Sequence, residues 1–224
     1  MRKHLFITGE YYHVYNRGVD KRDIFTNKCD INRFMLSVKK FNTINPVKSI
    51  RDLRESEGDP GVQHLGNESE EEKLVSIVCY CFNPNHFHFI VKQEVDGGIS
   101  EFFKRLSGGY TNYFNLMHQR SGALFQGRFK SHPIDDDRYF LKIYPYVNMN
   151  YMVHSMPKHK GNLVRASDKE YDSGEFNLVA PEEAKNVLNR YASAENFKKE
   201  CFDVIYIICK ERGKPSLFDK DLLP

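Results

Sequence analysis

Two histidines separated by one residue, His86 and His88, could bind a metal ion together. They follow a turn and begin an apolar, aromatic run that is typical of a β-strand. Because alternate side chains of a strand point to the same face, both imidazoles would lie side by side. Imidazole is a common metal ligand, so the pair could bind one divalent cation. The alternative is two polar residues on an exposed sheet face, and the pair alone does not decide between these interpretations.

A second pair of functional residues lies 60 residues further along the chain. Tyr146 and Asn150 are four residues apart, so in a helix they would share one face. A positioned tyrosine can act as a covalent nucleophile, and an asparagine oxygen suits Mg²⁺ or Mn²⁺. If this helix lies across the sheet, the imidazoles, the amide and the phenol meet in one site. A helix cap or surface amide at Asn150 and core filling by Tyr146 are the alternatives.

Such a site would suit the cleavage of a phosphodiester bond. A metal ion would polarise the phosphate and stabilise the charge that develops on it. The tyrosine would attack and form a phosphotyrosine link to one strand end, with a free hydroxyl on the other. Because the bond energy is retained, the strand could be rejoined to a different end.

The elements that would carry these residues alternate between strands and helices. Asn83-Pro84-Asn85 is a turn between two antiparallel strands. The expected strands are 11–16, 76–82, 86–92 and 129–134. The first expected helix is capped by Asn27 or Asp30 and runs to about 42. The second, 99–117, has one apolar stripe and contains Gly108-Gly109, where a close backbone approach or a bend is expected, and the third runs from 138 to about 153. The first six elements match the split βαβ arrangement. The predicted fold class is therefore α+β, a ferredoxin-like antiparallel sheet with helices on one face.

The chain divides into a catalytic domain and a C-terminal part. Residues 1–155 carry the candidate site, interrupted at 46–72 by an acidic, turn-rich stretch that we interpret as a surface loop insertion. Residues 156–224 are predicted to form a linker and a helical appendage. Within this part, residues 157–174 are polar and are expected to be irregular.

The composition indicates a reduced, cytoplasmic protein. Five cysteines at unrelated spacings do not form a disulfide framework. No apolar run approaches the ~20 residues of a membrane span, and no signal-peptide apolar region follows the first residues. A zinc site of Cys79, Cys81, His86 and His88 is an alternative, but these residues lie on different strands without the spacing of a zinc motif.

Five ordered motifs resemble a known family. They are Tyr12-His13-Val14-Tyr15-Asn16-Arg17-Gly18, Pro84-Asn85-His86-Phe87-His88, Tyr110-Thr111-Asn112-Tyr113-Phe114-Asn115, Gln126-Gly127-Arg128-Phe129-Lys130 and Tyr146 to Asn150. Over residues 8–155 the sequence is similar to the single-tyrosine HUH transposases, most closely to the REP-associated tyrosine transposases. The resemblance implies a homodimer that binds single-stranded or hairpin DNA and cleaves it with Mg²⁺ or Mn²⁺. It also implies that His86 and His88 bind the metal, that Tyr146 is the nucleophile and that Asn150 completes the site.

Three positions depart from the family pattern. Asn83 stands where the family usually has Met, and Asn150-Tyr151 stands where Asn-Pro is usual. Pro145 directly precedes the candidate nucleophile, and proline inside a helix removes one backbone hydrogen bond. We therefore predict a kink at 141–145 that aims Tyr146. Tyr144 is a rival nucleophile, but at ~100° per residue it points about 160° away from Tyr146.

Basic side chains near these motifs are candidates for DNA binding. Arg17 and Arg128 lie inside matched motifs, and Lys130, Lys104 and Arg105 complete the predicted set. For Lys104 and Arg105, an ordinary solvated helix face is the alternative. The rival function from another class is a non-catalytic, single-stranded nucleic-acid-binding module of ferredoxin-like fold.

Overall fold

The protein folds around a five-stranded antiparallel sheet with the strand order β4-β1-β3-β2-β5. The structure is a computed structural model, and it describes residues 5–45, 72–154 and 158–212. The strands are β1 (Tyr11–Arg17), β2 (Val75–Asn83), β3 (His86–Gln93), β4 (Lys130–Pro133) and β5 (Arg165–Ala166). The first four strands have the order of a ferredoxin-like sheet, which confirms the predicted fold class.

Helices cover both faces of this sheet. Those in the described residues are α1 (Lys28–Phe41), α2 (Gly98–Met117), α3 (Asp137–Asn148), α4 (Asn150–Val153), α5 (Asp168–Ser173), α6 (Pro181–Arg190) and α7 (Ala194–Glu211), with 3-10 turns at Val19–Lys21 and Lys158–Leu163. As predicted, α1 and α2 pack together on one face. Helix α3 lies across the other face, where α7 packs against it. None of the helices within the described ranges is long and apolar enough to cross a membrane.

Aromatic side chains fill the space between the sheet and helices α1 and α2. Phe34 of α1 contacts Phe82 and Phe87 of the sheet at ring-centroid distances of 5.1 and 5.6 Å. Phe103 of α2 stacks on Phe87 at 6.2 Å. All four side chains are fully buried. This packing holds β3 rigid from behind and leaves its histidines on the opposite face.

Local sequence signals explain where α1 begins and how it packs on α2. The Asn27 side chain accepts a hydrogen bond from the Asp30 backbone N–H and caps α1, one of the two caps that we predicted. The close approach expected at Gly108-Gly109 is found at Gly109, where an added Cβ would lie 2.7 Å from the Phe41 ring. At Gly108 no atom lies within 4 Å of such a Cβ.

The expectation of an irregular segment at 157–174 is wrong. Arg165 and Ala166 pair with β2 as a fifth strand, and α5 follows directly. Ser167 ties the two together, because its N–H donates to the Tyr80 carbonyl (3.0 Å) and its hydroxyl accepts from the Tyr80 N–H (3.1 Å). A long-range pairing therefore orders a segment whose local sequence is polar.

The predicted helix 138–153 is two helices. Helix α3 continues through Pro145 and ends at Asn148, and Met149, with φ −122° and ψ 29°, separates it from α4. Of the expected insertion 46–72, only Glu72 lies within the described residues. The expected boundary at 155/156 also lies outside them. Residues on both sides of that boundary, including those of α7, belong to one hydrophobic core.

Candidate active site

The β2–β3 hairpin places His86 and His88 on the sheet face that α3 covers. His88 lies opposite Tyr15 of β1 and Cys81 of β2, so all three side chains share this face. The His88 Nδ1 atom lies 2.8 Å from the Nε2 atom of His13, which is also on β1. One of these two rings donates and the other accepts. This contact occupies Nδ1 of His88, so Nε2 is the nitrogen left to bind another group.

His86 lies within hydrogen-bond distance of three amide side chains. Its Nδ1 atom is 2.6 Å from Asn85 Oδ1, and its Nε2 atom is 3.1 Å from Asn150 Oδ1. The third amide is that of Asn83, one of the residues that depart from the family pattern. Its Nδ2 atom lies 3.0 Å from His86 Nε2 and donates to Asn150 Oδ1 at 2.9 Å. A neutral His86 that donates from Nδ1 to Asn85 has a lone pair on Nε2. That lone pair and the Asn150 oxygen then point into the same small space.

Burial lowers the pKa of these imidazoles and so favours their neutral form. It is the main cause that lowers the pKa of His86, and the positive charge of Arg17 adds to it, against an opposing hydrogen bond from Asn150. Burial also lowers the pKa of His88 well below its ordinary value, and the neighbouring histidines add to this effect. The pKa of His13 falls to about 3, mainly through burial. Neutral imidazole is the form that binds metal ions.

The candidate nucleophile lies directly beside the histidines. The Tyr146 ring meets the His88 ring edge-on, with 5.7 Å between the ring centroids. Its side chain is half-buried and lines a cleft. Tyr144 is 1% exposed and does not line this cleft, so it is not accessible to a large substrate. The geometry thus brings Tyr146, His86, His88 and Asn150 together.

The cleft has a volume of about 490 Å³ and is rich in polar and positively charged groups. It is lined by Tyr15, Asn16, Arg17, Lys21, Asn85, His86, His88, Gln126, Lys130, Tyr146, His154 and Arg212. Four of these residues are Lys or Arg, and none is acidic. The cleft therefore favours a negatively charged ligand.

One wall of the cleft is the loop after β1. The Gly18 N–H donates to the Asn85 carbonyl at 2.9 Å and joins this loop to the β2–β3 turn. A Cβ at Gly18 would lie 2.3 Å from the Arg22 carbonyl oxygen, so this close turn requires glycine. Arg17 lies immediately before the turn, and its Nε donates to the Gln126 side chain. The loop thus fixes the guanidinium at the rim of the cleft.

The five basic side chains proposed for DNA binding lie in different places. Arg17 and Lys130 line the cleft. Arg128 is exposed on the loop that precedes β4 and does not line the cleft. Lys104 and Arg105 lie on α2, on the other side of the sheet. Both pair with Glu101, and Arg105 also donates to the Thr43 carbonyl at 2.7 Å. The structure does not bring these two side chains to the cleft.

Sequence reasoning missed three residues that contribute to the site. His154 follows α4, and its ring lies 4.6 Å from that of His86. Arg212 reaches the cleft from the end of α7, far from any matched motif. His13 belongs to the first of the five motifs, but its contact with His88 depends on strand register. Alternation along β1 places His13 on one face with Tyr15, but the register that sets it beside His88 and the position of Arg212 both depend on tertiary packing.

The zinc alternative is not supported by the geometry. Across residues 5–45, 72–154 and 158–212, no group of three or more His, Cys, Asp or Glu side chains is placed to hold a metal ion. Cys79 and Cys81 are fully buried, and burial raises the pKa of both thiols. Zinc binds thiolates, which this environment disfavours. The set His86, His88 and Asn150 is a different donor set, with two imidazoles and one amide.

Comparison with known proteins identifies the family. A family model described as "Transposase IS200 like" matches residues 8–150, more than half of the chain. The chain belongs to this family. The prediction from the five motifs is thereby confirmed. A search of curated proteins found no match to the sequence.

A solved structure shows the same fold. This transposase is similar to a REP-associated tyrosine transposase bound to a REP hairpin, with a TM-score of 0.50 and 14% sequence identity, over 80% of this chain and 90% of that one. It also matches the tRNA(His) guanylyltransferase of Saccharomyces cerevisiae at 8% identity, with a TM-score of 0.35, over 99% of this chain and 85% of that one. The second likeness is too weak to support an argument.

Proposed function

We propose that this transposase cleaves and rejoins single-stranded or hairpin DNA through a covalent bond to Tyr146. The observation that carries the proposal is the position of the Tyr146 ring against His88, in a cleft lined by positive charge. Membership of the IS200-like family supports the reaction class.

The covalent step exchanges one phosphate ester for another. The Tyr146 oxygen attacks the phosphorus and loses its proton to solvent, and the bond to one deoxyribose oxygen breaks. That oxygen takes up a proton and becomes a free hydroxyl, while the phosphate stays on the tyrosine. Attack by a hydroxyl end on the phosphotyrosine reverses the exchange and rejoins DNA. No net hydrolysis is needed, so no external energy source is required.

The donor set fits a divalent cation such as Mg²⁺ or Mn²⁺. The Nε2 atom of His86 and the Oδ1 atom of Asn150 are 3.1 Å apart, close enough to bind one ion. The Nε2 atom of His88 would be the third donor. When bound, the ion would polarise the phosphate and stabilise its developing charge. His13 would accept the Nδ1 proton of His88 and so fix the tautomer that presents Nε2.

Positive charge around the cleft would hold the DNA backbone. Arg17, Lys21, Lys130 and Arg212 line it without an acidic neighbour on the lining. Each contact with a phosphate releases counterions, so binding should weaken as salt rises. The structural relative is bound to a REP hairpin, which favours a hairpin substrate for this chain as well.

The test of the nucleophile is a denaturing gel for a protein–DNA adduct. The unchanged protein, mixed with hairpin oligonucleotides from its flanking DNA and Mn²⁺, should form an adduct that survives denaturation. Tyr146→Phe should bind the DNA with an unchanged Kd and form no adduct, and Tyr144→Phe is the matched control that keeps it. An adduct formed by Tyr146→Phe would refute the assignment. DNA binding without any adduct would favour the non-catalytic binding module.

The test of the DNA path compares two lysines on opposite sides of the sheet. Lys130→Ala should weaken hairpin binding and reduce the slope of log K against log salt by about 1. Lys104→Ala should change neither quantity, since Lys104 pairs with Glu101 away from the cleft. Equal effects of both changes would contradict the proposed path.

A homodimer is the family expectation, and sedimentation of the DNA-free protein would test it.

A further inference from the structure

Helix α3 contains a backbone carbonyl that lacks its regular donor within the helix. In a regular helix the Leu141 carbonyl would accept from the N–H of residue 145, four residues later. That residue is Pro145, which has no N–H. The turn with the missing bond directly precedes Tyr146. Leu141 is 44% exposed, so water can reach this turn of the helix.

The C-terminal part of the chain supplies the missing donor. The Tyr191 hydroxyl donates to the Leu141 carbonyl at 3.3 Å. Tyr191 follows α6, and its N–H donates to the Val187 and Leu188 carbonyls. Its ring is 9% exposed and packs against Phe197 of α7, with ring centroids 4.8 Å apart. The hydroxyl is therefore held in place by packing.

We infer that Tyr191 is a positioning residue for the nucleophile Tyr146. Its hydroxyl replaces the hydrogen bond that Pro145 removes, and so it keeps α3 continuous through the segment 141–145, where the sequence predicts a kink, up to Tyr146. Without it, the carbonyl tilts toward water and the helix bends at the proline, as helices do where solvent competes for a carbonyl. Such a bend moves the Tyr146 ring away from His88. This inference rests on the proposed function.

The inference gives the C-terminal helices a part in the reaction. Tyr191 lies outside residues 8–150, the segment that matches the family. The packing of α7 against α3 brings the two parts of the chain together at this point. The appendage predicted from the sequence thus contributes to the geometry of the site, without touching the reacting atoms.

A double-mutant experiment tests this inference. Tyr191→Phe removes the donor, and Pro145→Ala restores an N–H to the helix. At saturating hairpin DNA, Tyr191→Phe should slow adduct formation about five- to tenfold with an unchanged Kd for the DNA. The double variant should react as fast as Pro145→Ala alone, because the restored backbone bond makes the hydroxyl redundant. Amide exchange of Tyr146, Val147 and Asn148 should rise in Tyr191→Phe and return in the double variant.

Tyr171→Phe is the matched control. The Tyr171 hydroxyl also donates to a buried carbonyl, that of Val78 at 2.9 Å, which belongs to β2 and not to α3. This variant should lose stability without a change in the rate of adduct formation, and Pro145→Ala should not compensate for it.

Four outcomes would contradict the inference, and the last of them would also contradict the proposed function. An unchanged rate in Tyr191→Phe, or a rate in the double variant equal to the product of the single effects, overturns the inference alone. A slowed rate that Tyr171→Phe reproduces also overturns it, because general destabilisation would then be the cause. No adduct from the unchanged protein overturns the proposed function, and the positioning role with it.

Discussion

Replacing Tyr144 by phenylalanine should make the protein more stable. The Tyr144 side chain is 1% exposed, and its hydroxyl has no hydrogen-bond partner among the described residues. A buried hydroxyl without a partner costs about 1–3 kcal/mol. Phenylalanine removes that oxygen and keeps the ring, which packs on Phe140 with 3.9 Å between centroids.

The expected gain in the free energy of unfolding is about 1 kcal/mol. The lower end of the range applies, because losing the oxygen leaves a small void that costs some packing energy. For a chain of this size, such a gain corresponds to a Tm rise of about 2–4 °C. Urea denaturation should show a higher midpoint at an unchanged m-value.

The matched control is Tyr110→Phe. Tyr110 is also fully buried, but its hydroxyl donates to the Ile24 carbonyl at 2.5 Å. Its removal should lower stability by about 1 kcal/mol or more, since it leaves a buried carbonyl without this donor. A loss of stability in Tyr144→Phe would mean that the hydroxyl makes a stabilising contact. A loss of the DNA adduct would mean that Tyr144, and not Tyr146, is the nucleophile.

Two further predictions concern packing and pH. Gly109→Ala should destabilise the protein by about 1–3 kcal/mol in urea titrations, because the added Cβ would lie 2.7 Å from the Phe41 ring. Gly108→Ala, with open space at its Cβ, should instead stabilise by about 0.5–1 kcal/mol, and equal effects of the two would contradict the close packing of α1 and α2. In the unfolded chain, His13 and His88 take up protons below about pH 6.5, whereas burial keeps their pKa values lower in the folded protein. The free energy of unfolding should therefore decrease as the pH is lowered below about 6.5. The expected slope of the free energy of unfolding against pH is up to about 1.4 kcal/mol per pH unit for each histidine. His13→Gln should reduce this slope, and an identical slope in that variant would refute the contribution of His13.

Hydrophobic periodicity and turn residues were enough to predict the first six elements. The Asn83-Pro84-Asn85 turn and the alternation of β3 are local signals, so the shared face of His86 and His88 followed from the sequence. The helix cap at Asn27 and the buried stripe of α2 are local signals of the same kind. The expected helix 138–153 was too long, because its periodicity continues across Met149, where the backbone leaves the helix.

Elements that depend on long-range partners were not predictable in the same way. Strand β5 is two residues long and exists because β2 offers it an edge. Its polar surroundings gave no strand pattern, and the segment was expected to be irregular. In the same way, Lys104 and Arg105 carry a charge that suits DNA, but their place on α2 and their pairing with Glu101 follow from packing.

The sequence by itself determined which chemistry the chain carries. Two imidazoles, a phenol and an amide occur at spacings that place each pair on one face of an element, because those periodicities are properties of the backbone alone. Tertiary structure decided how the pairs meet. The packing of α3 across the sheet brings Tyr146 to His88, strand register sets His13 beside His88, and the fold brings Tyr191 to the carbonyl that Pro145 leaves open. These contacts join residues far apart in the chain, so no local pattern could specify them.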